Sequence, residues 1–323
     1  MIALTSLLLL FASAGSFDQL LHAGLAALNA NDLPAAQFQL EAATKADPRR
    51  AQAWVALAQT YFKLKKPLLA NSAALKAESL APGDPVIIHG LAFYYSETGN
   101  FDKVIALLQA ALRMRPYEEI YYFELGQQLL RTQKFEAALA TIEKGVKIFD
   151  KSAQLELARG VALYGLRRFP DAIDSFLRTI QLAPEVDQPY IFLGRMLDVA
   201  EDRTAAVTHA LAAYEQTQPD RYISSFLYAK ALAAGGGNAD QIESLLRKSI
   251  AFRNDFWESH FELGLALERR RVFDEAAKEL ERSIELDPNQ PVPHYRLARV
   301  YDRLGKTSEA NRQREIHARL AVK

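Results

Sequence analysis

Side chains able to carry acid–base, nucleophilic or metal chemistry are scattered thinly along this chain. Its six histidines, His22, His89, His209, His260, His294 and His317, stand far apart. No two show the four-residue helical spacing that turns both rings of a His-Glu-x-x-His site toward one zinc ion. The chain has no cysteine, which removes thiolate ligands, cysteine nucleophiles and disulfides and leaves the redox compartment open. Gly235-Gly236-Gly237 is followed by no Lys-Ser or Lys-Thr pair at the distance a phosphate loop needs, and no Gly-x-Ser-x-Gly elbow occurs. The expectation is a chain with no metal, no cofactor and no catalytic centre. An alternative is an active site assembled from distant polar groups of the later half, around Arg195, Asp198, Glu268 and Arg299.

Composition sets the partner classes. Half the residues are hydrophobic, and 39 Lys and Arg balance 39 Asp and Glu, so the formal net charge is zero. A long-range pull on nucleic acid or anionic lipid is not implied. Residues 1–16, MIALTSLLLLFASAGS, carry no charged side chain, and an apolar run from Leu7 to Phe11 precedes Ala12-Ser13-Ala14. That pattern resembles a secretory leader cut after Ala14, which makes the protein secreted or periplasmic with no stable membrane span after cleavage. The apolar run falls short of the roughly 20 residues that cross a bilayer. The other reading is an apolar helix that caps the first repeat.

From Phe17 onward the chain is periodic. In Trp257 to Gln290 the apolar positions keep helical spacing through two short stretches, with a turn at Arg271-Val272-Phe273 and a stop at Asp287-Pro288. The pattern recurs with a period of 34 residues, in residues 17–50, 51–84, 85–118, 119–152, 153–186, 187–220, 221–256, 257–290 and 291–323. The eighth place holds Gly24, Ala58, Ala92, Gly126, Gly160, Gly194, Tyr228, Gly264 and Ala298. The twentieth holds Ala36, Ala70, Val104, Ala138, Ala172, Ala206, Ile242, Ala276 and Ala310. Glycine within a helix costs roughly 0.5 to 1 kcal/mol relative to alanine, so its recurrence predicts a close helix–helix approach that repays it. The seventh repeat departs furthest, with Tyr228 at a small place, two added residues and three glycines in its turn, and predicts a soft joint at 222–256.

With Trp54, Leu57, Ala58, Tyr61, Ala70, Ala74, Ala77 and Pro82 in place, residues 51–84 carry the motif most fully, and the chain resembles the tetratricopeptide repeat (TPR) family. The resemblance implies an all-α fold, a right-handed α-solenoid (superhelix) of about nine helical hairpins over residues 15–323. It also implies a scaffold that binds a peptide or helix of a partner protein in a groove lined by first helices. Carried over place by place, the contact residues are Val55, Phe62, His89, Phe93, Phe123, Gln127, Leu130, Leu157 and Tyr164, joined by Arg195, Asp198, Glu258, Glu268, Arg299 and Asp302 in the charged later part. The competing expectation is that many of these side chains fill gaps between neighbouring first helices. His260 and His294 take the place of Trp54 and are expected to pack, and Glu156 with Arg159 to form a local ion pair. Leu21, Leu25 and Val55 stand where the family's carboxylate clamp needs polar and basic groups, which argues against a chaperone adaptor. Self-association into a homo-oligomer through the end hairpins is a further reading.

Overall fold

The computed structural model describes residues 16–321, and among these the chain forms eighteen α-helices, two short 3-10 turns and no strand. The leader expected at residues 1–14 lies outside the described residues. No helix among those described is long and apolar enough to cross a membrane. The chain divides into two compact units that meet between Ile148 and Phe149 in sequence. The first holds α1 (Phe17–Asn29), α2 (Leu33–Ala46), α3 (Ala51–Lys63), α4 (Pro67–Leu80), α5 (Pro85–Glu97), α6 (Phe101–Met114), α7 (Glu119–Arg131) and α8 (Phe135–Ile148). The second holds α9 (Ala153–Gly165), α10 (Phe169–Leu182), α11 (Gln188–Arg195), α12 (Thr204–Thr217), α13 (Tyr222–Ala234), α14 (Ala239–Phe252), α15 (Trp257–Arg269), α16 (Phe273–Leu286), α17 (Pro291–Arg303) and α18 (Thr307–Ala321).

Within each unit successive helices pair as antiparallel hairpins, and the small residues explain why they can. A Cβ added at Gly24 would fall 2.6 Å from Leu40, one at Gly126 2.6 Å from Ile142, one at Gly160 2.6 Å from Phe176 and one at Gly264 2.7 Å from Leu280. Each partner lies sixteen residues on, in the second helix of the same hairpin. The bare backbone of the first helix is therefore the seat of a large apolar side chain, and Ala36, Ala70, Ala138, Ala172, Ala276 and Ala310 are fully buried in the same seam.

The turn between the two helices is equally regular. Asn31, Lys65, Gln133, Arg167 and Arg271, with Gly99, Gly236 and Gly305, adopt φ between 56 and 75° at equivalent places. The next amide closes a Schellman ring onto the first helix, as when Lys66 donates to the Tyr61 carbonyl at 2.8 Å and Arg168 to Leu163 at 2.9 Å. The turn residue Gly237 donates in the same way to Leu232 at 2.7 Å. The segment expected to be a soft joint thus carries two complete helices and a hydrogen-bonded turn.

The structure corrects the register in the middle of the second unit. From Gly160 to Ala172, and from Gly264 to Ala276, the two small places are twelve residues apart. From Gly194 to Val207 they are thirteen apart, and Val207 is buried where Ala206 was expected and lies exposed. The added residue is taken up where α11 ends early, in 3-10 turns at Leu197–Val199 and Glu201–Arg203. Gly194 accordingly receives Leu227 of α13 rather than a side chain from its own hairpin. The second added residue sits in the turn of four between α13 and α14. Counted this way the small residue of α13 is the fully buried Ala229, and Tyr228 is its half-buried neighbour. Two single insertions, one in each of two repeats, replace the expected pair in one.

Fourth-place side chains of the first helices fasten each hairpin to the loop before it. Trp54 Nε1 donates to the Pro48 carbonyl at 3.0 Å, Tyr122 Oη to Pro116 at 3.0 Å and Tyr190 Oη to Pro184 at 3.0 Å. His260 and His294 are buried in the same role, with Nε2 facing the carbonyls of Asn254 at 3.1 Å and Pro288 at 3.3 Å. Glu156, also buried, lies 3.3 Å from Arg159.

Because Phe176 already occupies the space beside Gly160, Gly160→Ala forces that ring or the helix aside. The expected cost is about 1 to 3 kcal/mol, read as a lower urea midpoint with unchanged slope. An unchanged midpoint would show that the seam is loose.

Candidate functional site

The residues expected to line a groove separate into those that face a neighbouring helix and those that face solvent. Val55 is buried, because α5 presents Gly90 to it so closely that an added Cβ would stand 2.4 Å from its methyl. It is a core residue and not a contact for a ligand. The Phe62 ring meets Tyr94 edge-on at 6.1 Å, and Tyr164 packs against Phe169 at 5.7 Å and Phe192 at 5.3 Å. Both fill space between successive helices and are half-buried, as are Phe123, Leu130 and Leu157.

His89, Phe93 and Gln127 are different. All three are exposed and line one cleft of about 310 Å³ between α5 and α7 in the first unit. Phe93 keeps 52 % of its surface open to solvent, an uncommon state for a phenyl ring. Around it stand His89 and Glu124, whose Nδ1 and Oε1 are 2.5 Å apart, with Gln128 and Arg131. Glu124 and Arg131 were not expected there. Their signal was weak: Glu124 is 35 residues beyond His89, one repeat and one residue on, which the place-by-place transfer skipped.

In the second unit the charged residues gather in two adjoining clefts. Arg195 and Asp198 line the smaller, of about 310 Å³, with Lys230 and Glu262. Glu268 and Arg299 line the larger, of about 600 Å³, and Leu265, Arg269 and Arg296 border both. Arg299 is 3.5 Å and Arg296 3.9 Å from Glu268. Desolvation by burial raises the Glu262 carboxyl, against the pull of Lys230, Arg269 and Arg296. Glu258, also expected here, is raised by burial, and Asp302 pairs with Arg314 on α18. Lys230, Arg269, Arg296 and Arg303 escaped the sequence reading, although Arg296, Arg299 and Arg303 keep the three- and four-residue spacing of one helix face. Clefts built of guanidinium groups with few carboxylates suit the holding of an anion. Among the described residues no group of three or more His, Asp or Glu could hold a metal ion.

Comparison with known proteins agrees with the hairpin geometry. Sequence profiles described as tetratricopeptide repeat match residues 21–85, 90–153, 123–187 and 239–291, and a second such profile matches 279–312. The Arabidopsis thaliana protein named Protein CTR9 homolog is 24% identical over 255 residues, which are 76% of this chain and 21% of that protein. This chain therefore spans about a fifth of the length of that relative. Among solved structures, the APC/C hetero-tetramer Cut9-Hcn1 is similar at 13% identity over 90% of this chain and 57% of that one, with a TM-score of 0.51. YrrB, described as a TPR protein with an unusual peptide-binding site, is 17% identical over 58% of this chain and 95% of its own, with a TM-score of 0.49.

A raised Glu262 binds its proton more tightly folded than unfolded. That contribution is fully present below the ordinary carboxylate value and is lost as pH rises through the raised one. Glu262→Gln, neutral throughout, should therefore melt higher than the wild type at pH 7.5, by roughly 2 °C or more, with the gap closing toward pH 4.5. A gap that does not depend on pH would separate the effect from ionisation.

Proposed function

The chain belongs to the tetratricopeptide repeat family, and on that premise we propose that it is a non-catalytic scaffold that holds an extended or helical segment of a partner protein against its first helices. The observation that carries this reading is the exposed Phe93 ring, set between His89 and Gln127 over the cleft of α5 and α7. An aromatic anchor inside a polar rim is the composition of a protein-binding hot spot. Covering such a ring gains about 25 cal/mol for each square ångström of apolar surface, part of which offsets the cost of ordering the bound segment. Glu124, Gln128 and Arg131 supply hydrogen-bond partners for the backbone or polar groups of that segment.

The leader-like stretch from Leu7 to Ala14 supports export of this scaffold, into a bacterial envelope, with removal of residues 1–14. Mass spectrometry of the protein recovered from its source cells should find an amino terminus at Gly15. Recovery of chains that still begin at Met1 would set the export reading aside.

Phe93→Ala combined with Gln127→Ala alters only exposed side chains, so the melting temperature should stay within a degree or two while capture falls. Affinity capture from source cells by wild type and double variant, quantified for each retained protein, should show a loss of about tenfold or more for the true partner. Equal retention by both would remove this cleft from the account.

A further inference from the structure

The larger cleft of the second unit gathers positive charge on a chain whose formal net charge is zero. Its walls carry Arg269 at the end of α15, Arg271 in the turn, and Arg296, Arg299 and Arg303 on α17, against one carboxylate, Glu268. Glu268 lies near Arg296 and Arg299, while Arg269, Arg271 and Arg303 have no carboxylate within ion-pair distance among the described residues. Several other arginines of this unit are paired, Arg203 with Asp174, Arg221 with Asp187 and Arg247 with Glu243 and Glu275. Five guanidinium groups turned into a concave space with so little compensation repel one another. An anion entering that space would relieve the repulsion and accept several charge-assisted hydrogen bonds.

The spacing says what kind of anion. Arg296, Arg299 and Arg303 lie on one face of α17 over seven residues, about 10 Å of helix. No single tetrahedral ion reaches along that row. An extended peptide advances roughly 3.3 to 3.6 Å per residue, so two or three carboxylates spread over a few residues match it. A nucleic-acid strand fits less well. The cleft has Phe273 as its sole aromatic wall where a strand of bases needs a series of stacking faces, and Glu268, with Glu262 and Asp198 of the adjoining cleft, would oppose a continuous phosphate backbone. Discrete acidic side chains can avoid those carboxylates.

We infer that this cleft is a second docking site, which takes an acidic, Asp- and Glu-rich segment of a partner protein. The inference rests on the scaffold reading but uses different residues, in the other unit, from the Phe93 cleft. Arg269, Arg271 and Arg303 would meet the carboxylates first, since they are exposed and unpaired. Arg296 and Arg299, already near Glu268, would complete the row.

The test uses the full chain and three fluorescein-labelled probes: a twelve-residue peptide alternating Glu and Ser, its Gln-for-Glu counterpart, and a single-stranded oligonucleotide of equal charge. Fluorescence polarisation should show the Glu peptide bound on the order of tenfold tighter than the Gln peptide, with the advantage shrinking as salt is raised. Arg269→Gln with Arg303→Gln, both at exposed sites, should abolish that advantage with an unchanged circular dichroism melt. Glu268→Gln should strengthen binding severalfold, a gain that no loss of folding can imitate. Phe93→Ala with Gln127→Ala should leave acidic-peptide binding unchanged, so failure of the first cleft and failure of this one give different results. Equal binding of the Glu and Gln peptides, unchanged binding by the arginine variant, or tighter binding of the oligonucleotide would each overturn the assignment.

Discussion

The fold rests on close contact between the two helices of a hairpin, tightest where a large side chain of the second helix is seated on a glycine of the first, sixteen residues earlier. Leu40 on Gly24, Ile142 on Gly126, Phe176 on Gly160 and Leu280 on Gly264 are four instances of the same fit. Dispersion falls steeply with separation, so this close approach is what offsets the cost of glycine inside a helix. It also fixes how each hairpin presents its outer faces to the next. The exposed rows of first-helix side chains are a consequence of that seam and would not exist without it.

Two smaller devices hold the hairpins in sequence. Each regular turn places one residue at positive φ, and in five of the eight such turns that residue is Asn, Lys, Gln or Arg rather than glycine. The left-handed conformation costs these residues roughly 1 to 2 kcal/mol, and the Schellman hydrogen bond that closes the turn helps to compensate. At the other end, a polar tip at the fourth place of the first helix bonds the carbonyl of the preceding loop. Tryptophan, tyrosine and histidine all perform this task, which needs only a flat apolar body and one donor at its end. His260 and His294, at the place of Trp54, are taken up by this packing role.

The two clefts show how a shared scaffold acquires different chemistry. In the first unit the exposed face carries Phe93 among His89, Glu124, Gln127 and Arg131, a mixed surface with an apolar centre. In the second unit the corresponding helices carry arginine after arginine, and the charge that balances them lies elsewhere on the molecule. A net charge of zero describes the sum and conceals this separation. Half-buried Glu262, its carboxyl raised by desolvation, lines the adjoining cleft.

Helices, turns and small places were legible in the sequence because each is specified within one repeat, by helical spacing, by proline and by a recurring glycine or alanine. Nine near-copies of one pattern also make the all-helical fold readable without coordinates. Register in the middle of the second unit was not readable. An extra residue before Val207 and another before Ile242 look the same as two in one repeat until the early end of α11 separates them. Nor did the sequence divide groove from core: Val55, Phe62 and Tyr164 occupy places equivalent to exposed ones, and only the approach of Gly90, Tyr94 and Phe192 from the next helix buries or covers them. The arginine cleft needed tertiary structure for the same reason. Arg269 and Arg271 come from one hairpin and Arg296, Arg299 and Arg303 from the next, and a one-dimensional repeat pattern does not record which side chains two stacked hairpins turn toward each other.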